Sequence, residues 1–465
     1  MKAILMDFGS TFTKIIIIDM KRASIIARAQ SPSTVQTDIT IGLEKSLKSI
    51  DLKIDDLKKR KFDHQLSCSS AAGGLKMVAI GLVPELTVEA AKEAALGAGA
   101  NVISTYSYSL NIEELKRIEA QNPDIILLAG GSDGGDEKTV LHNAQMLAKS
   151  KIKSPIIIAC NKSASEKVEK ILAKFKKSAR ITENVMPELW KLNIEPTKKE
   201  IRKIFLERII EAKGLDKIRK FVDIIIPTPS ASLKAVELLA KGIGSHNGFG
   251  DLLAIEVGGA TTNVYSASEG VADKDNVILR GFKEPYLKRT VEGDLGLRYN
   301  VLSIIEKAGI KEFKSVLCEE GFKKEQSIQE KAQYLKDSVA FISKNKKDRA
   351  FDDALSRIAV RIAVKRHSGH LVKLNLPSGV SFIQEGKDLS KVKNILGSGG
   401  GIVHAKNHKK ILSEAIFDPN EGFILKPKDP KLFIDKDYVL WATGLLSHVD
   451  PETAHLVIRK SLIQV

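Results

Sequence analysis

Short β-branched runs alternate with amphipathic stretches along most of this chain. Ala3–Met6 is apolar, Asp7–Lys14 is polar with a glycine, and Ile15–Asp19 is β-branched again, a pattern that predicts a hairpin. Thr40–Lys61 is amphipathic and lysine-rich and predicts a surface helix. Ser67–Gly74 is a run of small residues ending in Gly-Gly, followed by an apolar strand at Met77–Leu82. Strands and helices then alternate: helix Thr87–Gly97, strand Ala100–Ser104, helix Ile112–Gln121 and buried strand Asp124–Ala129. Next come a glycine-rich loop, Gly130–Asp136, opening a helix through Lys149, strand Pro155–Cys160 and helix Ser163–Lys176. Such βαβ alternation implies a parallel sheet with helices on its faces.

Leu192–Lys220 is charged and predicts helix, Val222–Pro227 predicts a strand, and Pro227-Thr228-Pro229 opens a helix at Ser230–Lys241. Gly242–Gly250 holds four glycines in nine residues and marks a boundary. Beyond it the opening pattern returns: strand Leu252–Val257, the turn Gly258-Gly259-Ala260-Thr261-Thr262, and strand Asn263–Ser266. Lys311–Arg366 predicts mostly helix, and the strand Asn394–Leu396 runs into Gly397-Ser398-Gly399-Gly400-Gly401 with a helix after it. Two halves, each opening with strand, turn and strand, organise the sequence.

The chain has 465 residues, 43% apolar and 28% charged, an ordinary globular composition that allows two to four domains. Disorder, collagen and coiled coil are excluded as descriptions of the whole. No aliphatic run approaches the roughly 20 residues that span a bilayer, and Asp7 interrupts the first apolar stretch, so neither a membrane span nor a secretory leader is expected. Cys68, Cys160 and Cys318 lie far apart without a C-x-x-C, which argues against a disulfide framework or a Cys-rich metal site and for a cytoplasmic location. Cys68, among small residues, and Cys160, at the end of an apolar strand, are expected to be buried thiols. The net charge of +16 comes from dispersed lysines such as Lys58-Lys59-Arg60-Lys61 and Lys344-Asn345-Lys346-Lys347, with only 5% aromatics. That is a solvated basic surface, not a nucleic-acid arm with stacking residues.

Three loops could carry chemistry. Asp7-Phe8-Gly9-Ser10-Thr11-Phe12-Thr13-Lys14 places a carboxylate at a strand end, then glycine, three hydroxyls and a lysine. Backbone N–H groups and hydroxyls of such a turn can surround phosphate oxygens, with Lys14 adding a point charge. The carboxylate would orient a hydrated Mg²⁺. In Glu256-Val257-Gly258-Gly259-Ala260-Thr261-Thr262-Asn263, Gly258 and Gly259 let a phosphate approach the backbone, and Thr261 and Thr262 supply donors. The third loop, Gly397–Gly401, lacks large side chains and could admit a flat base or sugar. Gly130–Asp136, at the carboxyl end of a predicted parallel strand, occupies a ligand position of open α/β sheets, with Asp136 as a helix cap. His367 and His370, spaced i, i+3, could share a helix face.

The order of the three loops resembles the actin/hexokinase/Hsp70-type ATPase superfamily: phosphate-1 hairpin, phosphate-2 hairpin, adenosine loop. A closer resemblance is to the glutamate mutase-associated MutL (GlmL) family. It is carried by Asp7–Lys14 (DFGSTFTK), Leu128–Asp136 (LAGGSDGGD), Glu256–Tyr265 (EVGGATTNVY), Arg289–Arg298 (RTVEGDLGLR), Ala363–Leu371 (AVKRHSGHL) and Val439–Ser447 (VLWATGLLS). The resemblance implies an α/β actin-like ATPase fold, two ribonuclease H-like domains around a nucleotide cleft. The first would span residues 1–245, including an α/β insertion at about 65–220, and the second 251–465.

It further implies an ATP-dependent reactivating chaperone for an adenosylcobalamin-dependent mutase, either glutamate mutase or an amino acid aminomutase. Mutase subunits are then the expected partners, nucleic acid and membrane are not, and homodimerisation is left open. ATP and Mg²⁺ are the implied cofactors. Asp7 and Glu256 would address the metal through water as the catalytic carboxylates. Gly9, Ser10, Thr11, Thr13, Lys14, Gly258, Gly259, Ala260, Thr261 and Thr262 would bind phosphates, and Gly397, Ser398, Gly399 and Gly400 the adenosine. Glu256 and Asn263 stand where the superfamily usually has Asp, which implies slow ATP turnover. Rival readings are a small-molecule kinase with Asp251 or Asp294 as base, and a nucleotide-binding scaffold without turnover. A dehydratase activator is disfavoured by the isolated cysteines.

Overall fold

The computed structural model describes residues 1–35, 37–70, 75–98, 100–210, 215–271, 276–322, 328–377 and 379–465. Packing divides the chain into two compact units, Met1–Ala72 with Glu211–Val465, and Gly73–Ile210.

The first unit opens with β1 (Lys2–Phe8), β2 (Phe12–Asp19) and β3 (Ser24–Pro32), an antiparallel meander, and then β4 (His64–Ser69), parallel to β1. β3 escapes the hydrophobic reading because its exposed and half-buried positions include Arg28 and Gln30. β4 escapes it for the opposite reason: Gln65, Ser67 and Ser69 are buried because the strand is central. The predicted small-residue loop is therefore strand as far as Ser69, and residues 71–74 lie outside the described residues. The expected single helix Thr40–Lys61 is two, Ile39–Lys48 and Ile54–Lys58, separated by a turn with Asp51 in the left-handed region (φ 57°).

The second unit, Gly73–Ile210, is a doubly wound sheet of β5 (Lys76–Gly81), β6 (Asn101–Ser107), β7 (Ile125–Gly130), β8 (Ile156–Cys160) and β9 (Ala179–Ile181). All pairings are parallel, in the order β6-β5-β7-β8-β9, with helices such as Lys138–Lys149 and Lys162–Lys174 between strands. Its glycine loop is fixed by two buried amides. Asn161 accepts from Gly134 N and donates to the Gly135 carbonyl, and Asn184 donates to the Gly131 carbonyl and to Asp133. The helix cap is Glu137, one residue later than expected, and Asp136 before it accepts from Thr139 N at 3.1 Å. The helix expected over Leu192–Lys220 is also two, Glu195–Ile210 and Leu215–Arg219.

Back in the first unit, β10 (Ile224–Pro227) pairs parallel with β4, completing the order β10-β4-β1-β2-β3. The helix Thr228–Lys241 leaves its end, and the glycine-rich boundary is a small hairpin of β11 (Gly242–Ile243) and β12 (His246–Asn247). The second sheet repeats the first. β13 (Leu252–Val257), β14 (Thr262–Ala267), β15 (Val277–Arg280) and β16 (Leu287–Glu292) follow in sequence. Next come β17 (His370–Leu376), β18 (Gly379–Glu385), β19 (Asn394–Ser398), β20 (Lys431–Asp435) and β21 (Leu462–Gln464). The order β16-β14-β13-β19-β20-β21 keeps the meander antiparallel and the next two strands parallel. Both sheets are thus ribonuclease H-like, and the duplicated arrangement is the actin-like ATPase fold. β15, β18 and β17 form a separate three-stranded sheet that the sequence pattern does not predict.

The long helical stretch resolves into Ile310–Glu319, Ile328–Asp337 and Lys346–His367. His367 ends the last helix, buried, while His370 begins β17, so the two do not share a helix face. Leu5, Ile18, Ala254 and Tyr265 of the two sheets share a core with Ala231, Ala235, Trp441 and Leu445 of the helices Thr228–Lys241 and Leu440–Leu446. Those helices approach very closely: a Cβ at Gly444 would lie 1.7 Å from the Ala231 carbonyl oxygen. Cys68 and Cys160 are buried, and Cys318 is exposed.

Candidate functional site

The duplication aligns the two hairpins residue by residue. In the first, Asp7 pairs with Lys14 across β1 and β2; in the second, Glu256 pairs with Asn263 across β13 and β14. Both turns close in the same way, Gly9 N donating to the Phe12 carbonyl at 3.1 Å and Gly258 N to the Thr261 carbonyl at 3.0 Å. Gly9 is required there, because a Cβ would lie 2.6 Å from the Phe12 oxygen. Among the described residues, the backbone N–H groups of Ser10, Thr11, Gly259 and Ala260 have no protein acceptor.

Both carboxylates are buried, Asp7 at 1% exposure and Glu256 at 8%. Asp7 accepts from Lys14 Nζ at 2.8 Å and from Thr228 Oγ1 at 2.7 Å, with Cys68 Sγ at 3.6 Å. Glu256 accepts from Tyr265 OH at 3.0 Å and Ser232 Oγ at 3.3 Å. Thr228 and Ser232 are i and i+4 on one helix, so one helix face serves the carboxylates of both hairpins. Burial disfavours the Glu256 charge and raises its pKa, with Asp7 adding to the rise and Lys14, Tyr265 and Ser232 opposing it. Burial also opposes the Lys14 charge, but Asp7 and Tyr438 outweigh it, and the ammonium titrates above its usual value. Lys14 Nζ lies 3.1 Å from Tyr438 OH and 4.4 Å from the centre of its ring.

The two turns touch. A Cβ at Gly259 would lie 2.6 Å from Thr11 Oγ1, and Tyr299 OH donates to the Ser10 carbonyl at 3.3 Å. A phosphate does not fit between Thr11 and Gly259 at this separation, so entry there requires them to part. The second turn is buttressed by the segment after β16. Leu297 N donates to the Gly258 carbonyl, Arg298 N and Tyr299 N to that of Gly259, and Asn300 Nδ2 to that of Ala260. This explains the second glycine of the RTVEGDLGLR stretch: a Cβ at Gly296 would lie 2.2 Å from the Ala260 carbonyl carbon.

The expected third loop is shorter than its glycines suggest: Gly397 and Ser398 end β19 beside β13, with Glu256 opposite Ser398, Gly399 turns the chain, and Gly400 opens the short helix Gly400–Val403. Gly399 adopts φ +82°, and a Cβ there would also strike the Val257 backbone, whereas the nearest atom to a Cβ at Gly400 is His404 Cδ2, 3.9 Å away. Three of the predicted hydroxyl donors serve the fold. Ser10 Oγ donates to the Ser70 carbonyl at 2.8 Å, Thr13 Oγ1 is buried against Gly42, and Thr262 Oγ1 donates to the Leu295 carbonyl, while Ser398 Oγ, in the expected adenosine loop, donates to Asp435. Thr11 and Thr261 remain at the turns, the latter accepting from Asn263 Nδ2 at 3.3 Å.

The RTVEGDLGLR and AVKRHSGHL stretches meet in part, through Arg366 and His367, whereas Arg298 pairs with Asp352 and His370 with Glu385. Arg366 bonds Glu292 and Asp294, Lys307 adds to Asp294, and His367 lies between Thr290 and Ser266. Arg289 donates to Asn263 Oδ1 at 3.2 Å. Sequence reasoning missed Thr228, Ser232, Tyr265, Gly296, His404 and Tyr438. Only Thr228 carried a signal, as a hydroxyl between two prolines directly after a parallel strand.

The residue types suit a magnesium nucleotide once Thr11 and Gly259 part. Two buried carboxylates stand beside turns with unengaged N–H donors, a lysine sits at the first turn, and a glycine loop is open at Gly400. Among the described residues no group of three or more His, Cys, Asp or Glu converges to hold a metal directly. No helix there is long and apolar enough to cross a membrane.

Among solved structures, the chain is similar to a nucleotide-free acetone carboxylase, with 12% identity, a TM-score of 0.41, and coverage of 96% of this chain and 70% of that one. It is also similar to the activator of 2-hydroxyisocaproyl-CoA dehydratase from Clostridium difficile with bound ADPNP, with 11% identity, a TM-score of 0.32, and coverage of 99% and 96%. In sequence it is 44% identical over 463 residues to Protein MutL of Clostridium tetanomorphum, covering 99% of each chain. With the profile of the MutL protein family matching residues 3–462 as well, the chain belongs to the MutL family.

Proposed function

We propose that this protein binds Mg·ATP and serves as a reactivating accessory protein for an adenosylcobalamin-dependent mutase, glutamate mutase or an amino acid aminomutase. The observation that carries the nucleotide reading is the meeting of Asp7 and Glu256 on one helix face through Thr228 and Ser232. Mutase service rests on membership of the MutL family.

In this reading the turn amides of Ser10, Thr11, Gly259 and Ala260 take phosphate oxygens, Lys14 adds charge, and Gly397–Gly400 accommodates adenosine. Mg²⁺ supplies charge neutralisation between phosphates and protein, with Asp7 and Glu256 addressing it through water. Asn263, in place of a carboxylate, leaves hydrolysis slow. Nucleotide state would then alter how the two hairpins meet, and a surface that binds the mutase better in one state would shift the mutase toward an open form that exchanges damaged cofactor. A kinase reading has less support: Asp294 is held by Arg366 and Lys307 and titrates below the usual range, with its ion pairs outweighing burial.

The test has two arms. Isothermal titration with ATP, ADP and a non-hydrolysable analogue, with and without Mg²⁺, should show Mg-dependent binding. Mutase inactivated by loss of the adenosyl group should then regain activity on addition of this protein, ATP and fresh cofactor. Binding without reactivation would leave a nucleotide-regulated scaffold, and no binding at millimolar nucleotide would remove the reading.

A further inference from the structure

Lys14 is a charge on the first sheet held by a residue of the segment after β20, in the second. Its ammonium has three N–H groups. Asp7 Oδ2 takes one at 2.8 Å and Tyr438 OH a second at 3.1 Å, with the tyrosine ring beneath the charge. Tyr438 adopts φ +54°, a conformation that costs energy for a bulky side chain and persists only where the surroundings impose it.

Those surroundings are specific. Tyr438 N donates to the Asp435 carbonyl at 3.0 Å, closing a turn. The buried Asp435 side chain accepts from Leu440 N at 2.8 Å, Ser461 Oγ at 2.7 Å and Ser398 Oγ at 3.0 Å. Asp437, the residue before Tyr438, is gripped by Arg28 of β3. Hydrogen bonds thus link Ser398 to the Asp435 side chain, Tyr438 N to the Asp435 carbonyl, and Lys14 to the Tyr438 hydroxyl, so that Asp435 and Tyr438 stand between the end of β19 and the first hairpin.

We propose that Tyr438 is a positioning residue for phosphate recognition, holding Lys14 with its third N–H left for a phosphate oxygen, in a turn tied to the glycine loop. The inference rests on the nucleotide reading above and adds which residue sets the lysine's direction. Oriented this way the lysine meets a polyphosphate without first breaking its bond to Asp7.

The test is isothermal titration of the full chain with adenosine, ADP and ATP in Mg²⁺, for the parent, Tyr438→Phe, Lys14→Met and the double variant. Tyr438→Phe keeps the ring and removes the hydroxyl. It should weaken ADP and ATP by about tenfold, the size of a hydrogen bond to a charged group, and adenosine by less than about twofold. In the Lys14→Met background it should change nothing further. Equal losses for adenosine and ATP, or additive effects in the double variant, would show a merely structural tyrosine and overturn the proposal. A parent that binds ATP while Tyr438→Phe binds it equally well overturns the positioning role alone. A parent that binds neither adenosine nor ATP overturns the nucleotide reading with it.

Discussion

Thr228 Oγ1 donates to Asp7 Oδ1 across 2.7 Å, tying the first residue of a helix to the end of a strand more than two hundred residues earlier. One turn along that helix, Ser232 does the same for Glu256 at 3.3 Å. Neither carboxylate has water enough to replace a lost donor. Thr228→Val should therefore cost about 1–3 kcal/mol, the price of a buried acceptor left short, and lower the urea midpoint of the first unit. Ser232→Ala, at the longer contact, should cost less. Thr228→Val should also weaken the Mg²⁺-dependent part of ATP affinity while sparing adenosine. An unchanged midpoint for Thr228→Val would mean that the hydroxyl does not hold Asp7.

Asp7 neutralises Lys14, whose side chain is only 17% exposed. Removing the carboxylate strands a nearly buried cation against Tyr438, and such a loss costs about 3–5 kcal/mol where burial is complete. Asp7→Ala should fall somewhat short of that because Lys14 keeps some solvent. Adding Lys14→Met to Asp7→Ala should recover much of the stability without restoring any Mg·ATP response. Denaturant titration and calorimetric binding on the three variants separate the two effects. A double variant no more stable than Asp7→Ala would show that the pair is not coupled.

Gly259 has a neighbour that no motif announces. Because a Cβ there would lie 2.6 Å from Thr11 Oγ1, Gly259→Ala should force the two turns apart or strain them. The expected cost is about 1–3 kcal/mol. Thr11→Ala in the same chain removes the obstructing hydroxyl and should return most of it. If Gly259→Ala melts with the parent, the turns do not touch in solution.

How much of this was legible follows from what each signal measures. Hydrophobic pattern found β1, β2, β13 and β14 because their cores are apolar and their turns polar, and the repeated turn chemistry exposed the duplication. It missed β4, whose Gln65, Ser67 and Ser69 are polar yet buried between β1 and β10, and β3, whose outer face carries Arg28 and Gln30. The two carboxylates could be named from their turns. Thr228 carried only the signal of a hydroxyl between two prolines after a strand, and Ser232 and Tyr438 carried none, because tertiary packing sets their partners: Thr228 and Tyr438 meet residues more than two hundred positions away, and Ser232 meets Glu256 from a different element. Likewise Thr13 and Thr262 read as phosphate donors in sequence, and Ser398 as part of the adenosine loop, while their hydroxyls point into the fold.

Glu256 sets stability and binding against each other. Burial raises its pKa, so protonation begins at higher pH than for an ordinary carboxylate. The folded state holds that proton more tightly than the unfolded chain does. This contribution to stability is full below the unfolded value and is lost as pH rises through the raised folded value. In the proposed Mg·ATP reading Mg²⁺ would make the opposite demand, since the ionised form of Glu256 would orient a metal-bound water. The Mg²⁺-dependent increment in ATP affinity should therefore shrink as pH falls through the raised Glu256 value, while the fold gains stability over the same interval. Glu256→Gln keeps an acceptor for Tyr265 and Ser232 without the charge. It should melt higher than the parent at neutral pH, lose most of the Mg²⁺ increment, and flatten its pH dependence. Titrations with and without Mg²⁺ at several pH values, alongside thermal melts, test both halves. A Gln variant that keeps the full Mg²⁺ increment would remove Glu256 from the metal's surroundings and leave Asp7 to act alone.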